Sequence, residues 1–462
     1  MATYLTRTTA DATSNMTATF SWWLKRSCIS DSDGQGSNYM WCTAGPGGFS
    51  DANWLGCQFQ SDDTLRVLTW YGGTDLRTNR VFRDPSAWYH IVVRIDTSQS
   101  TEADRVRIYV NGEQETSFST ASYPPHTHDY NCLGDAGALH YVGCAVSGSV
   151  ASPSPYDYFN GYIADFIQSS GQSYAPTSFG ETDSTTGIWK PKTFSGSFGD
   201  NGFHLQFKNS GALGTDTSGE GHTLTVSGAG TNAQVVDTPT NNFATMNSLA
   251  NSTQAGGTFT LGNLKWVTTL TDYSYRPSSI GVSAGKWYWE VKCVSFSGGT
   301  DPYMIGITST QPSGNTNELG DYANDWAYHE DGKYRNNDSN TTWGSTFTSG
   351  DIIGVALDLT NNKLYFSKNG TWQESGDPTS GATGTGAISI TAVGSTSLGD
   401  YFPAIGDYDN ASGSSSTFEI NFGNPPFTIS SGNADANGFG NFEYAVPSGY
   451  YALCTENLNT YG

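Results

Sequence analysis

The strongest constraint on this chain is a period of two in its apolar residues, punctuated by Asn-Gly pairs. Ala18, Phe20, Trp22 and Leu24 share one side of a first run, and Tyr89, Ile91, Val93 and Ile95 share one side of another, with His90 and Arg94 opposite. Val106, Ile108 and Val110 alternate with Arg105, Arg107 and Tyr109, and that run stops at Asn111-Gly112. Successive side chains of a strand point to opposite faces, so these runs predict half-buried strands. Asn-Gly suits a type I′ hairpin, in which both central residues need positive φ. The second half repeats the plan: Ile352–Leu357 ends at Asp358, Leu364 and Phe366 alternate into Asn369-Gly370, and Trp372 follows. No amphipathic helix of ten or more residues is predicted. The fold expected is all-β, with two tandem jelly-roll sandwiches and a structured C-terminal tail.

Composition agrees and narrows the partners. Gly supplies 55 of 462 residues and charged residues only 14%, against about 25% in an average domain, as in proteins of many short strands and tight turns. The net charge of −22 disfavours polyanions, which argues against nucleic acid and against an anionic membrane surface. No run of 18 apolar residues offers a membrane span. The N-terminus lacks an apolar signal core, so assembly in a cytoplasm is expected. Seven cysteines, an odd number without Cys-x-x-Cys spacing, read as buried free thiols.

Five phrases in order, Lys286–Lys292, Met304–Ile307, Gly332–Arg335, Gly350–Asp358 and Leu364–Gly370, resemble a SPRY domain, a β-sandwich used for recognition. Phe20–Leu24, Trp88–Asp96, Arg107–Gly112 and Phe159–Phe166 resemble a laminin-G-like module of concanavalin-A type. Gly202–Phe207, Leu213–Gly219, Asp237–Asn247 and Pro447–Leu458 are similar to segments of tailed-phage structural proteins of the marine, cyanophage type. The expected division is a laminin-G-like sandwich over 1–195 and a connecting segment with a hairpin over 196–255. A SPRY-like sandwich over 256–425 and a packing or docking tail over 426–462 follow.

Candidate chemistry is sparse. A glycosidase needs two carboxylates facing each other across a groove, roughly 5–9.5 Å apart. Glu181-Thr-Asp183, in a stretch with little strand character, and Glu113-Gln-Glu115 are the nearest matches. His126-Thr-His128-Asp129 could set two imidazoles on one side of a loop, as a metal site requires, although a solvated loop is the simpler reading. Asp31, Asp33, Asp62 and Asp63 are weak candidates for Ca²⁺, since no Asp-x-Asp-x-Asp-Gly loop is present. Trp287, Trp289, Trp326, Tyr328, Trp343, Tyr365 and Phe366 read as sandwich core.

The SPRY resemblance implies binding through inter-strand loops at one end. The loop residues it suggests are Tyr275, Arg276, Tyr303, Tyr322 and Tyr408, whose flat rings and polar groups suit a sugar face and its hydroxyls. The phage resemblance implies a non-catalytic virion surface protein, a fibre or tail appendage that binds host glycan or receptor. The alternative is a head decoration or scaffold protein contacting other virion proteins, and a polysaccharide-degrading glycosidase is the enzymatic rival. A homo-oligomer, by family habit a trimer, would gain avidity for weak sugar contacts.

Overall fold

The computed structural model describes residues 3–10, 14–29, 37–50, 52–228, 233–250, 257–268, 273–297, 303–310, 317–408 and 415–462. The chain divides into two compact units, 1–234 with 238–240, and 235–237 with 241–462. Both are β-sandwiches, and the helices among the described residues are short, the longest being Thr455–Tyr461.

In the first unit an eight-stranded sheet runs, in spatial order, Phe118–Ser122, Asp75–Val81, Thr64–Thr69, Trp54–Gln60, Ser37–Ala44, Leu139–Val142, Tyr4–Thr8 and Thr225–Ser227. It faces a six-stranded sheet of Phe203–Leu205, Gly161–Ser170, Thr17–Arg26, Tyr89–Asp96, Val106–Val110 and Glu113–Gln114. The alternating residues fill the space between them. Ala18, Phe20, Trp22 and Leu24 meet Ile91, Val93, Ile95, Val106, Ile108 and Val110 in one buried cluster. The Phe20 and Trp41 rings stack at 3.9 Å across it.

The second unit repeats the architecture. A nine-stranded sheet contains Thr258–Thr260, Lys265–Val267, Ser415–Asn421, Lys286–Ser297, Ile352–Asp358, Lys363–Lys368 and Thr371–Trp372 along its main path. A six-stranded sheet runs Tyr273–Pro277, Phe402–Tyr408, Met304–Thr308, Asp325–His329, Lys333–Asn336 and Ser339–Thr342. Trp287, Trp289, Trp326, Tyr328 and Phe366 lie in the core between them, and Trp343 packs half-buried against it. Tyr365 is buried too, on the opposite side of its sheet with Tyr288 and Phe442.

The segment over 196–255 does not stand apart. Phe203–Leu205 pairs with Gly161–Ser170, and Thr225–Ser227 pairs with Tyr4–Thr8, so its first part completes the first sandwich. Ala244 and Met246 enter the second core. The tail likewise belongs to the second unit: Tyr451–Ala452 pairs in parallel with Trp287–Tyr288. Short strands with few apolar residues carry these pairings, and that is why alternation did not disclose them. Six cysteines, Cys42, Cys57, Cys132, Cys144, Cys293 and Cys454, are buried free thiols whose pKa burial pushes up.

Candidate functional site

Three of the five loop residues suggested by sequence, Tyr275, Arg276 and Tyr303, are buried. Tyr275 and Arg276 lie in the edge strand Tyr273–Pro277, not in a loop. Alternation sends them to opposite sides. The Tyr275 ring is 2% exposed and packs with Met304, Leu319, Ala327 and Ala404. The Arg276 guanidinium turns inward over the Trp266 ring, 5.6 Å from its centroid, and Nη1 donates to Ser274 Oγ at 2.9 Å. Tyr303 is fully buried, edge-on to Phe418 at 5.1 Å. Tyr322 and Tyr408 are half-buried. The Tyr322 hydroxyl meets Asn317 Nδ2, and Tyr408 packs against the Tyr275 cluster. Residues 298–302 and 409–410 of the loops that carry these candidates lie outside the described residues.

The candidate carboxylate pairs serve cations. Glu181 sits in a short strand, Gly180–Thr182, paired with Trp189–Pro191. Lys190 Nζ lies between the pair, 2.9 Å from Asp183 and 3.8 Å from Glu181. The Lys190 bond, with the amides of Thr186 and Thr185, pushes the Asp183 pKa far below the usual carboxylate range, the opposite of what a general acid needs. Glu115 is buried against Arg80 at 2.8 Å, while Glu113 is exposed. A buried Ser21–His90 contact of 2.9 Å has the look of a nucleophile and base. However, Trp189 Nε1–H donates to His90 Nδ1 at 3.0 Å. The ring proton therefore sits on Nε2 and points at Ser21, so the imidazole cannot take the hydroxyl proton.

The metal candidates are also engaged elsewhere. Asp63 accepts from Arg26 at Oδ1, 2.9 Å away, and from Arg83 at Oδ2, 2.7 Å away, and Asp62 accepts from Arg77 and Thr64. Asp31 and Asp33 lie outside the described residues. His126 Nε2 meets the Ser98 carbonyl at 3.0 Å, while the His128 ring stands edge-on to Tyr130. No group of three or more His, Cys, Asp or Glu side chains suited to a metal ion occurs among the described residues.

A different surface emerges on the first unit. Along Thr64–Thr69 the core takes Leu65 and Val67, so Arg66, Leu68 and then Trp70 face outward. Trp70 is 39% and Tyr71 74% exposed, at the turn before Asp75–Val81. Gly72, at φ +80°, closes the turn, and Thr69 N and Thr74 O bond at 2.9 Å. Trp70 stacks on Phe49 at 4.6 Å and meets Trp54 edge-on at 5.8 Å, which fixes its plane. Beside it Arg66 grips Asp75 through two bonds of 2.7 Å, a bidentate pair on the outward face. Trp70 thus forms a fixed aromatic shelf, with Tyr71 exposed next to it in the turn. The sequence signal was Trp70-Tyr71 directly before Gly72-Gly73, two aromatics in a hairpin turn where core residues have no place.

Comparison with known proteins follows the two units. Residues 2–166 match the concanavalin A-like lectin/glucanases superfamily, and residues 286–414 match the SPRY domain. The chain therefore contains a concanavalin-A-like domain of laminin-G type and a SPRY domain. Among curated relatives, Ran-binding protein 9 of Danio rerio is 37% identical over 94 residues, 20% of this chain and 15% of that protein. Ran-binding protein 9 of Homo sapiens is 38% identical over 94 residues, 20% of this chain and 12% of its own length. The match thus spans about a seventh of these relatives or less. Among solved structures, the SPRY domain of human HERC1 shares 19% identity, with 34% of this chain and 87% of that chain covered, at a TM-score of 0.27. A heptameric SAP-like pentraxin from Limulus polyphemus shares 13% identity, covering 36% and 69%, at a TM-score of 0.27.

Proposed function

We propose that this chain is a non-catalytic recognition protein whose first unit holds carbohydrate on the Trp70–Tyr71 shelf. The observation that carries this reading is the pair of exposed rings on a turn braced by Phe49 and Trp54, next to the Arg66–Asp75 pair. A flat ring offers its face to the C–H face of a sugar, and a fixed ion pair offers donors and acceptors to hydroxyls. Glycan-array binding by the full chain and by W70A/Y71A tests it. Loss of at least about fivefold in affinity is expected for shelf removal, since two ring contacts worth roughly 0.5–1.5 kcal/mol each disappear. Equal binding by both proteins would place the ligand elsewhere. Release of reducing ends from any bound polysaccharide would overturn the non-catalytic part.

A second reading is favoured by the SPRY domain and by relatives named for binding Ran: the second unit takes a protein partner. The two readings are compatible, one per unit. The finer setting we propose is a virion surface, with the protein as a fibre or tail appendage and head decoration as the alternative. Its support is the likeness of Gly202–Phe207, Leu213–Gly219, Asp237–Asn247 and Pro447–Leu458 to tailed-phage proteins; neither domain match speaks for it. Avidity of weak sugar contacts argues for a homo-oligomer, a trimer in this proposal, and light scattering on the full chain would measure it.

A further inference from the structure

The turn that carries Trp70 and Tyr71 stands at one end of a longer open face. Three strands close that side of the eight-stranded sheet: Thr64–Thr69, Asp75–Val81 and Phe118–Ser122. Their register sets two outward rows across the sheet. Leu68, Asp75 and Ser122 lie opposite one another in the row nearer the shelf, and Arg66, Arg77 and Thr120 in the next. Val67 and Leu76, paired between these rows, point to the core. Further across the sheet the same outer face is roofed. The hairpin of Ala145–Ser149 and Ser152–Tyr156 packs on Tyr39, Trp54 and Leu139, and Trp54 Nε1 donates to Val146 O at 3.1 Å. Over the end strands the outward side chains reach solvent, Arg66 by 28% and Arg77 by 35%.

The charges of these rows cancel. Arg66 Nε and Nη2 each donate to Asp75 at 2.7 Å. Arg77 Nε donates to Thr64 Oγ1 at 3.1 Å, its Nη2 pairs with Asp62, and Thr64 Oγ1 donates to Asp62 Oδ1 at 2.7 Å. From the shelf outward the order is Asp75, Arg66, Arg77, Asp62, a neutral strip on a chain of net charge −22. Neither pair is saturated, because a guanidinium has five N–H donors and a carboxylate about four acceptor sites. A ligand hydroxyl, donor and acceptor at once, fits such a strip. A ligand carboxylate does not, since both guanidiniums already hold a counter-ion and the surrounding field is negative. The strip is also long. From Leu68 to Thr64 the strand rises about 13 Å, and Trp70 and Asp62 lie beyond either end.

We propose that this face takes an internal stretch of a neutral polysaccharide, with one ring on Trp70 and its successors bonded along Arg66–Asp75 and Arg77–Asp62. The inference rests on the carbohydrate reading of the shelf and adds the class of glycan, its extended length and the residues that select it. Stacking accepts many sugars, whereas ion pairs in fixed geometry discriminate among hydroxyl positions.

Calorimetric titration of the full chain with malto-, cello-, xylo- and manno-oligosaccharides of two and six units, and with oligogalacturonates of the same lengths, tests it. In the neutral series that binds best, the hexasaccharide should bind at least about tenfold tighter than the disaccharide, as bonds to charged groups join the contact. The galacturonate hexamer should bind at least about tenfold more weakly than the neutral one. R77A should shrink the gain with length to about threefold or less, and W70A should weaken both lengths. Equal affinity for the two lengths, a preference for galacturonate, or a gain with length that R77A leaves intact would overturn the extended face, while sensitivity to W70A keeps the shelf standing. No binding to any of these oligosaccharides would overturn shelf and face together. Should R77A fail to fold, the length series on the wild-type chain decides the matter.

Discussion

Asn111 and Asn369 solve one problem twice. Each sits at positive φ, +49° and +48°, before a Gly at +85° and +78°, which is the type I′ geometry. Each also closes a ring on the neighbouring strand. Asn111 N donates to His90 O at 2.8 Å and its Oδ1 accepts from His90 N at 2.8 Å. Asn369 makes the same pair with Ile352, at 2.8 and 2.9 Å. Ala in either place loses the side-chain acceptor and takes on left-handed strain. N111A and N369A should therefore each destabilise their own unit by about 1–2 kcal/mol in denaturant titration. N111G, which relieves the strain, should cost less than N111A; equal costs would mean that backbone geometry is irrelevant. These turns were legible in the sequence because Asn-Gly after an alternating run has one economical conformation. Tyr275 and Arg276 were misread for a related reason. A short edge strand shows only one or two alternations, so its aromatic residues look like loop residues until burial shows otherwise.

At the scale of elements, the C-terminal segment is held by a buried carboxylate. Glu290, in Lys286–Ser297, accepts from the amides of Glu443 at 3.0 Å and Tyr444 at 2.8 Å, from Asn421 Nδ2 at 3.2 Å and from the Tyr288 hydroxyl at 3.1 Å. Those bonds fasten the segment over an aromatic cluster of Tyr288, Tyr365, Phe442 and Tyr450, edged by Trp372. E290Q keeps the shape but turns one acceptor into a donor aimed at a backbone N–H. The expected cost is about 1–3 kcal/mol, the price of a buried amide left unpaired. Limited proteolysis should cut 430–446 faster in E290Q while the core strands stay protected; an unchanged pattern would show that the aromatic contacts alone hold the segment. That the tail would pack somewhere was readable from its aromatics, which are too many for a solvated end. Which surface receives it was not, because Tyr288 and Tyr365 fall on the non-core side of strands whose alternation points only to the core. The Trp70–Tyr71 shelf escaped notice for the converse reason: alternation points only to the core face of a strand, and the local cue, two aromatics before Gly72-Gly73, lies outside any alternating run.

Across the whole molecule, the two units should answer acid differently. The first buries two imidazoles, His90 and His140, and burial holds both near 3, with the Arg7 charge adding to the effect at His140. Their folded pKa lies below the ordinary 6.5. The stability they contribute is thus complete above pH 6.5 and drains away as pH falls towards 3, by about 1.4 kcal/mol per pH unit for each proton taken up on unfolding. The second unit has one such group, His329, held at about 4 by burial. Against it stand Asp325, raised to about 7, and Glu290, also raised, both chiefly by burial. Raised carboxyls stabilise at low pH and lose that contribution as pH climbs, so they offset His329 through the same window. Acidification from pH 6.5 to 4.5 should therefore weaken the first unit steeply and leave the second nearly level. Hydrogen exchange from globally opening strands, Thr17–Arg26 in one unit and Ile352–Asp358 in the other, resolves the two responses in a single sample. H140Q, which removes one titrating ring, should roughly halve the acid slope of the first unit. Parallel slopes in the two units would mean that groups other than these buried ones govern acid stability.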